Sequence, residues 1–183
     1  DGVCSFLFVG RIMKEKGVDE FFSAARTLKA EFGEKVAFDV VGFYEDAYKE
    51  QVDQLVADGI VRFHGFQTDV HPFYEAADCV VLPSYHEGMS NVLLEGAATG
   101  RALITSDIPG CREAAEDGVS GYLCPAQDAE GLTQAMRDFA QQSFDRQVQM
   151  GQSGRALVER KFDKQLVVAK TLDGLGLPAA VRS

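Results

Sequence analysis

A doubly wound α/β fold on a parallel sheet of about six strands is predicted by three observations. Short apolar runs alternate with segments of helical periodicity through most of the chain. The runs are rich in β-branched and aromatic residues and are stopped by Gly or Pro, as strands covered on both faces are. Charged and glycine-rich residues gather just after the strands, where an open α/β sheet binds its ligands.

The first strand is Val3 to Val9 (VCSFLFV), ending at Gly10. From Val18 to Phe32 the residues Phe21, Phe22, Ala25, Leu28 and Phe32 recur at helical spacing. Val36 to Val41 is the second strand, stopped by Gly42, and a polar helix over Asp46 to Ala57 turns Val52, Leu55 and Val56 inward. Ile60 to Phe63 is the third strand. Thr68 is expected to cap a helix carrying Val70, Phe73, Ala76 and Ala77, with Pro72 tolerated in its first turn. Cys79 to Leu82 is the fourth strand, stopped by Pro83; Ser90 to Thr99 is a helix ended by Gly100; Ala102 to Thr105 is the fifth strand. A short helix over Arg112 to Glu116 precedes the sixth strand, Gly121 to Cys124. Helices follow over Ala129 to Gln141, Asp145 to Lys161 and Lys164 to Leu172, and Gly174, Gly176 and Pro178 mark a loose tail. Right-handed crossovers then give a Rossmann-like sheet ordered 3-2-1-4-5-6.

Composition narrows the function. Of 183 residues, 46% are hydrophobic and 25% charged, which suits one globular domain with a full core. The net charge of -10 excludes nucleic acid as a partner and makes this part a poor ligand for anionic membranes. No apolar run is long enough to span a bilayer. The chain opens at Asp1-Gly2 and runs directly into a strand without a signal peptide, and it is expected to be cut from a longer one. Four cysteines (Cys4, Cys79, Cys111, Cys124) form no C-x-x-C pair and have only His64, His71 and His86 to join them, so neither zinc nor redox chemistry is expected. They read as small hydrophobes in a reducing, cytoplasmic compartment.

The loop after the first strand reads G-R-I-M-K-E, which is neither a dinucleotide fingerprint nor a Walker loop. Arg11 and Lys16 stand at a helix entrance, where the macrodipole favours anions, and an anionic ligand would remove the conflict. After the fourth strand comes Glu87-Gly88-Met89-Ser90-Asn91-Val92-Leu93-Leu94-Glu95. Gly88 allows close backbone approach, Ser90 is a good N-cap, and the first-turn amides form an anion site. Asn91 and Glu95 share a helix face, and two carboxylates beside a phosphate cradle suit hydroxyl groups. The pattern fits a sugar phosphate or a nucleotide.

At these residues the chain resembles the family 4 (group 1) glycosyltransferases. Their E-x7-E motif is Glu87 to Glu95, and their G-R-x(4)-K-G loop is Gly10-Arg11 to Lys16-Gly17. Their tract G-F-x(7)-Y-x-x-A-D-x-x-V-x-P-S runs from Gly65 to Ser84. Thr105 to Glu113 (TSDIPGCRE) and Gly118-Val119-Ser120-Gly121 match further elements, so the likeness covers Val3 to Phe139 in order.

The resemblance implies the C-terminal half of a retaining GT-B enzyme. Residues 1–162 would be the donor-binding domain and 163–183 a C-terminal helix and tail, with the N-terminal acceptor domain absent from this chain. Arg11 and Lys16 would hold the donor diphosphate, Glu95 the ribose, and Glu87 the transferred sugar. The backbone of Gly88, Met89, Ser90 and Asn91 would meet the phosphate, and that near Gly65 and Phe66 the base. Glu87, Arg11 and Lys16 form the implied catalytic set, with no cofactor and no metal. His86 reads as a loop-positioning residue.

The implied donor is a nucleotide-sugar, with UDP-sugar favoured by the wording S-D-I-P-G-C-R-E. A hexose or N-acetylhexosamine would pass to a saccharide or lipid-linked saccharide in polysaccharide biosynthesis. The partners would be the donor and the missing acceptor domain, and any membrane contact would run through that part or the lipid-linked acceptor. The full-length enzyme would be cytoplasmic, or peripheral at the inner face of the membrane. The alternatives are a catalytically inert nucleotide-binding regulatory module and another GT-B enzyme such as a sugar-nucleotide epimerase. Intact Arg11, Lys16, Glu87 and Glu95 favour the transferase.

Overall fold

The computed structural model describes residues 2–162. Its strands are β1 (Cys4–Val9), β2 (Val36–Val41), β3 (Arg62–Phe63), β4 (Cys79–Leu82), β5 (Ala102–Ser106) and β6 (Gly121–Cys124). Its α-helices are α1 (Val18–Phe32), α2 (Lys49–Ala57), α3 (His71–Ala76), α4 (Asn91–Ala98), α5 (Ala129–Ala140) and α6 (Phe144–Phe162). The six strands form one sheet, β3-β2-β1-β4-β5-β6, and every pairing is parallel. This is the order expected from the sequence.

Burial explains why the strands were readable. Every residue of β1, β4 and β5 is buried, because helices cover the middle of the sheet on both faces. Helices α1 and α5 pack together, as do α4 and α6. The winding reverses at β1, so right-handed crossovers place the two pairs on opposite faces. Phe6, Phe8, Phe21, Phe38 and Phe139 form an aromatic core, with Phe6 and Phe38 stacked at 5.5 Å. Helix α6 lies close enough to the chain before β5 that a Cβ on Gly151 would stand 2.0 Å from the Gly100 carbonyl oxygen.

Several details differ from expectation. Strand β3 is shorter than Ile60 to Phe63, because the Ile60 and Val61 amides both donate to the Leu55 carbonyl and close the turn after α2 instead of joining the ladder. Val56 is 44% exposed rather than inward, whereas Val52 and Leu55 are buried. Thr68 does not cap α3: Val70 occupies the cap without a side-chain bond, and Asp69 Oδ1 accepts from the His71 amide at 3.0 Å. Within α3, Tyr74 rather than Ala76 is buried, and Pro72 does sit in the first turn. The polar helix expected over Asp46 to Ala57 opens with a 3-10 turn at Asp46–Tyr48, and the short helix expected over Arg112 to Glu116 is a 3-10 turn at Arg112–Ala114. The helix expected over Lys164 to Leu172, the tail and the segment 163–183 lie outside the described residues.

Candidate functional site at the carboxyl ends of the strands

The carboxyl ends of β1, β2 and β3 are joined backbone to backbone. The Gly10 amide donates to the Val41 carbonyl at 3.0 Å, and the Gly42 amide to the Gly65 carbonyl at 2.9 Å. Gly42 has φ 145°, and a Cβ there would stand 1.9 Å from the Gly10 carbonyl oxygen, so only glycine lets these loops meet. On this base Arg11 holds its guanidinium 5.9 Å from the Phe43 ring centre. Phe43 in turn lies 6.5 Å from Phe66. Both rings are largely exposed, at 54% and 67%. Arg11 makes no ion pair with another described residue.

A second joint links the loops after β1 and β4. Lys14–Lys16 form a 3-10 turn, and Gly17, with φ 69°, leads into α1. The Pro83 carbonyl packs where a Gly17 side chain would be, and the Tyr85 amide donates to the Glu15 carbonyl at 2.8 Å. Across this joint Lys16 Nζ meets Glu87 Oε1 at 2.5 Å, and Ser84 Oγ donates to the same oxygen at 2.8 Å. The sequence predicts an unmet positive charge for Lys16; in the folded chain Glu87 meets it. Ser84 carries no sign of this role beyond its place at the end of the quoted tract.

The third part is the start of α4. Ser90 is its N-cap, with Oγ accepting from the Leu93 amide at 3.4 Å, and the Leu94 amide donates to the Ser90 carbonyl. The Ser90 amide is not open, because it donates to the Gly110 carbonyl at 3.1 Å. That removes Ser90 from the amides expected to meet a phosphate. The amides of Asn91 and Val92 have no acceptor among the described residues, as first-turn amides of a helix do not. Gly88 and Met89 form the exposed lip of the loop, and His86 is exposed beside it. The loop after β5 braces the lip from behind: Gly110, at φ 87°, packs against the Gly88 carbonyl while its amide donates to Glu113 Oε2 at 2.8 Å.

Farther along α4, Asn91 and Glu95 share a helix face, as their spacing predicts, and both are exposed. Tyr74 Oη donates to Glu95 Oε2 at 3.0 Å. Burial and the Glu95 carboxylate push the Tyr74 phenol far above its ordinary range, so it remains a donor that fixes Glu95 and leaves Oε1 free. The sequence reading missed this residue; its only signal is the tyrosine of the tract from Gly65 to Ser84.

The cysteines fit their reading as hydrophobes. All four are buried and free. Burial pushes the thiol of Cys111 up to about 11 and those of Cys4 and Cys124 to about 12, and raises Cys79 well above its usual value. The nucleophilic thiolate is therefore scarce at neutral pH. A chromogenic disulfide reagent at pH 7.5 (roughly the ordinary assay range) is expected to label the folded chain slowly and all four thiols after denaturation. Fast labelling of a native thiol would contradict the burial.

An open, doubly wound parallel sheet, with two cations, a helix N-terminus and two carboxylates on its carboxyl edge, defines a Rossmann-like domain. The model of the family "Glycosyl transferases group 1" matches residues 4–142, and the chain belongs to that family. One relative is the N,N'-diacetylbacillosaminyl-diphospho-undecaprenol alpha-1,3-N-acetylgalactosaminyltransferase of Campylobacter jejuni, 31% identical over 70% of this chain and 33% of its own length. The curated relatives are longer: the chain spans 32% to 46% of those compared. The C-terminal domain of LpcC, a group 1 protein of Francisella tularensis, is 26% identical, with TM-score 0.78 over 88% of this chain and 87% of that one. Anabaena Alr3699/HepE in complex with UDP shares the fold at TM-score 0.82 and 20% identity, over 96% of this chain and 49% of that one.

Proposed function

We propose that this domain binds the nucleotide-sugar donor, a UDP-sugar, in a retaining glycosyl transfer whose acceptor is held by the rest of a longer enzyme. The observation that carries this reading is the junction of the Lys16–Glu87 pair with the open N-terminus of α4. A cation, a sugar-directed carboxylate and free amides stand on adjoining loops. Arg11 and Lys16 take the diphosphate, helped by the backbone of Gly88, Met89 and Asn91. Glu95, fixed by Tyr74, accepts from a ribose hydroxyl. Glu87 turns from Lys16 to the hydroxyls of the transferred sugar. The base lies near Gly65 and Phe66.

As the acceptor oxygen bonds to the anomeric carbon, the carbon's bond to the diphosphate oxygen breaks, its electron pair stays on that oxygen, and the acceptor proton passes to the departing diphosphate. Arg11, Lys16 and the α4 dipole stabilise the charge, so no metal is required. HepE crystallised with UDP supports uracil as the base, and the name of the Campylobacter enzyme supports a lipid-linked saccharide as the acceptor. The setting would be polysaccharide synthesis at the cytoplasmic face of a membrane; no helix among the described residues is long and apolar enough to cross one.

Calorimetric titration with UDP, GDP, ADP and their sugars tests the reading. UDP is expected to bind best, and EDTA to leave binding unchanged. Arg11→Ala is expected to weaken UDP and UDP-sugar alike, by roughly tenfold or less, since the site is open to solvent on one side. A preference for ADP or GDP would overturn the uracil assignment, and loss of binding in EDTA the metal-free one.

A further inference from the structure

Two residues outside the family motifs meet beneath the Glu87 loop. Glu20, in the first turn of α1, accepts from Tyr85 Oη at 2.8 Å. Its other oxygen, Oε2, is buried and has no hydrogen-bond partner among the described residues. Such an arrangement is poor for stability. A carboxylate oxygen removed from water without a partner costs free energy, and an apolar pair would fill the same space without that cost.

What the pair adds is direction. Tyr85 is tied at both ends, its amide to the Glu15 carbonyl and its hydroxyl to Glu20. The flanking Ser84 then donates to Glu87 Oε1, the oxygen that Lys16 also holds. Burial and the Glu20 and Asp19 carboxylates hold the Tyr85 phenol well above its ordinary range, so the hydroxyl remains a donor.

We propose that Glu20 and Tyr85 are positioning residues: they fix the Pro83–Gly88 loop so that Glu87 reaches the sugar of the donor, and thereby set the preference for sugar nucleotide over bare nucleotide. This rests on the donor-site reading above. The test uses the whole chain and its Tyr85→Phe, Glu20→Leu and Glu20→Gln variants. Hydrogen exchange of the loop amides is followed without ligand, and affinities are measured for UDP, UDP-glucose and UDP-N-acetylglucosamine.

Tyr85→Phe and Glu20→Leu are expected to speed exchange of the loop amides about tenfold while the sheet amides keep their rates. UDP affinity is expected to stay, and the extra affinity for the better sugar nucleotide to fall by about the same factor. Glu20→Gln keeps an acceptor for the Tyr85 hydroxyl and is expected to behave as the parent chain. The proposal is overturned by unchanged loop exchange in Tyr85→Phe. It is also overturned by equal loss of UDP and UDP-sugar, or by unfolding of both disruptive variants, since these would make the pair a stability device. If the parent chain binds none of the three ligands, the donor-site reading fails, and the exchange rates alone decide whether the pair fixes the loop.

Discussion

Purified by itself, the 183-residue chain is expected to transfer no sugar from UDP-glucose or UDP-N-acetylglucosamine to a saccharide acceptor above the uncatalysed rate. In the proposed reading these residues take the leaving group and the sugar, and the acceptor oxygen is oriented by the rest of a longer enzyme. Such orientation is worth about 7–11 kcal/mol of barrier, equivalent to effective molarities of order 10⁵–10⁸ M. The chain spans 32% to 46% of the curated relatives compared, and the proposal assigns the acceptor contacts to the remainder. Release of UDP in the presence of acceptor is the measurement. Robust turnover by this chain alone would show that the acceptor site lies within it.

Glu87→Gln is expected to separate two ligands that Arg11→Ala and Lys16→Ala treat alike. Glu87 Oε1 pairs with Lys16, so in the proposed reading a diphosphate draws the lysine away from a competing anion. The two side chains are only 29% and 13% exposed, which puts the pair at the upper end of the range for surface ion pairs, about 1 kcal/mol. Neutralising Glu87 frees Lys16, and bare UDP should bind about fivefold more tightly. The extra affinity of a UDP-sugar should fall, because Gln offers one neutral acceptor oxygen where the proposed sugar contact uses a charged carboxylate with two. Lys16→Ala should instead weaken both ligands. Calorimetry of the variants, with a melting curve for each, checks this. A folded Glu87→Gln chain that loses both ligands equally would move Glu87 out of the sugar pocket.

The parts of this arrangement that were legible in sequence are those with a local cause. Central strands such as CVVL and ALITS are buried on both faces and read as unbroken apolar runs, so their number and order could be derived. Ser90 could be read as a cap because its bond to Leu93 stays within one turn. Thr68 was misread because Asp69, one position nearer the helix, offers a carboxylate to the His71 amide. Ile60 and Val61 have strand-like side chains, yet their amides are taken by the end of α2. The pairing of Lys16 with Glu87, of Tyr74 with Glu95 and of Tyr85 with Glu20 had no local signal. Each partner was visible, but the choice of partner is made by the sheet order, not by spacing along the chain.

That same separation bears on how the site comes into being. Lys16 and Glu87 are 71 residues apart and meet only because β1 and β4 are neighbours in the sheet. Closing a loop of that length is entropically costly and slow compared with forming any single βα unit. The half of the sheet built by β1, β2 and β3 can assemble from contiguous chain, but it carries Arg11 and the aromatic pair without the acid or the α4 N-terminus. In the proposed reading, full nucleotide affinity is expected to appear only when the β1–β4 seam closes. A ligand present during refolding should accelerate nothing before that seam closes, and should slow only its reopening.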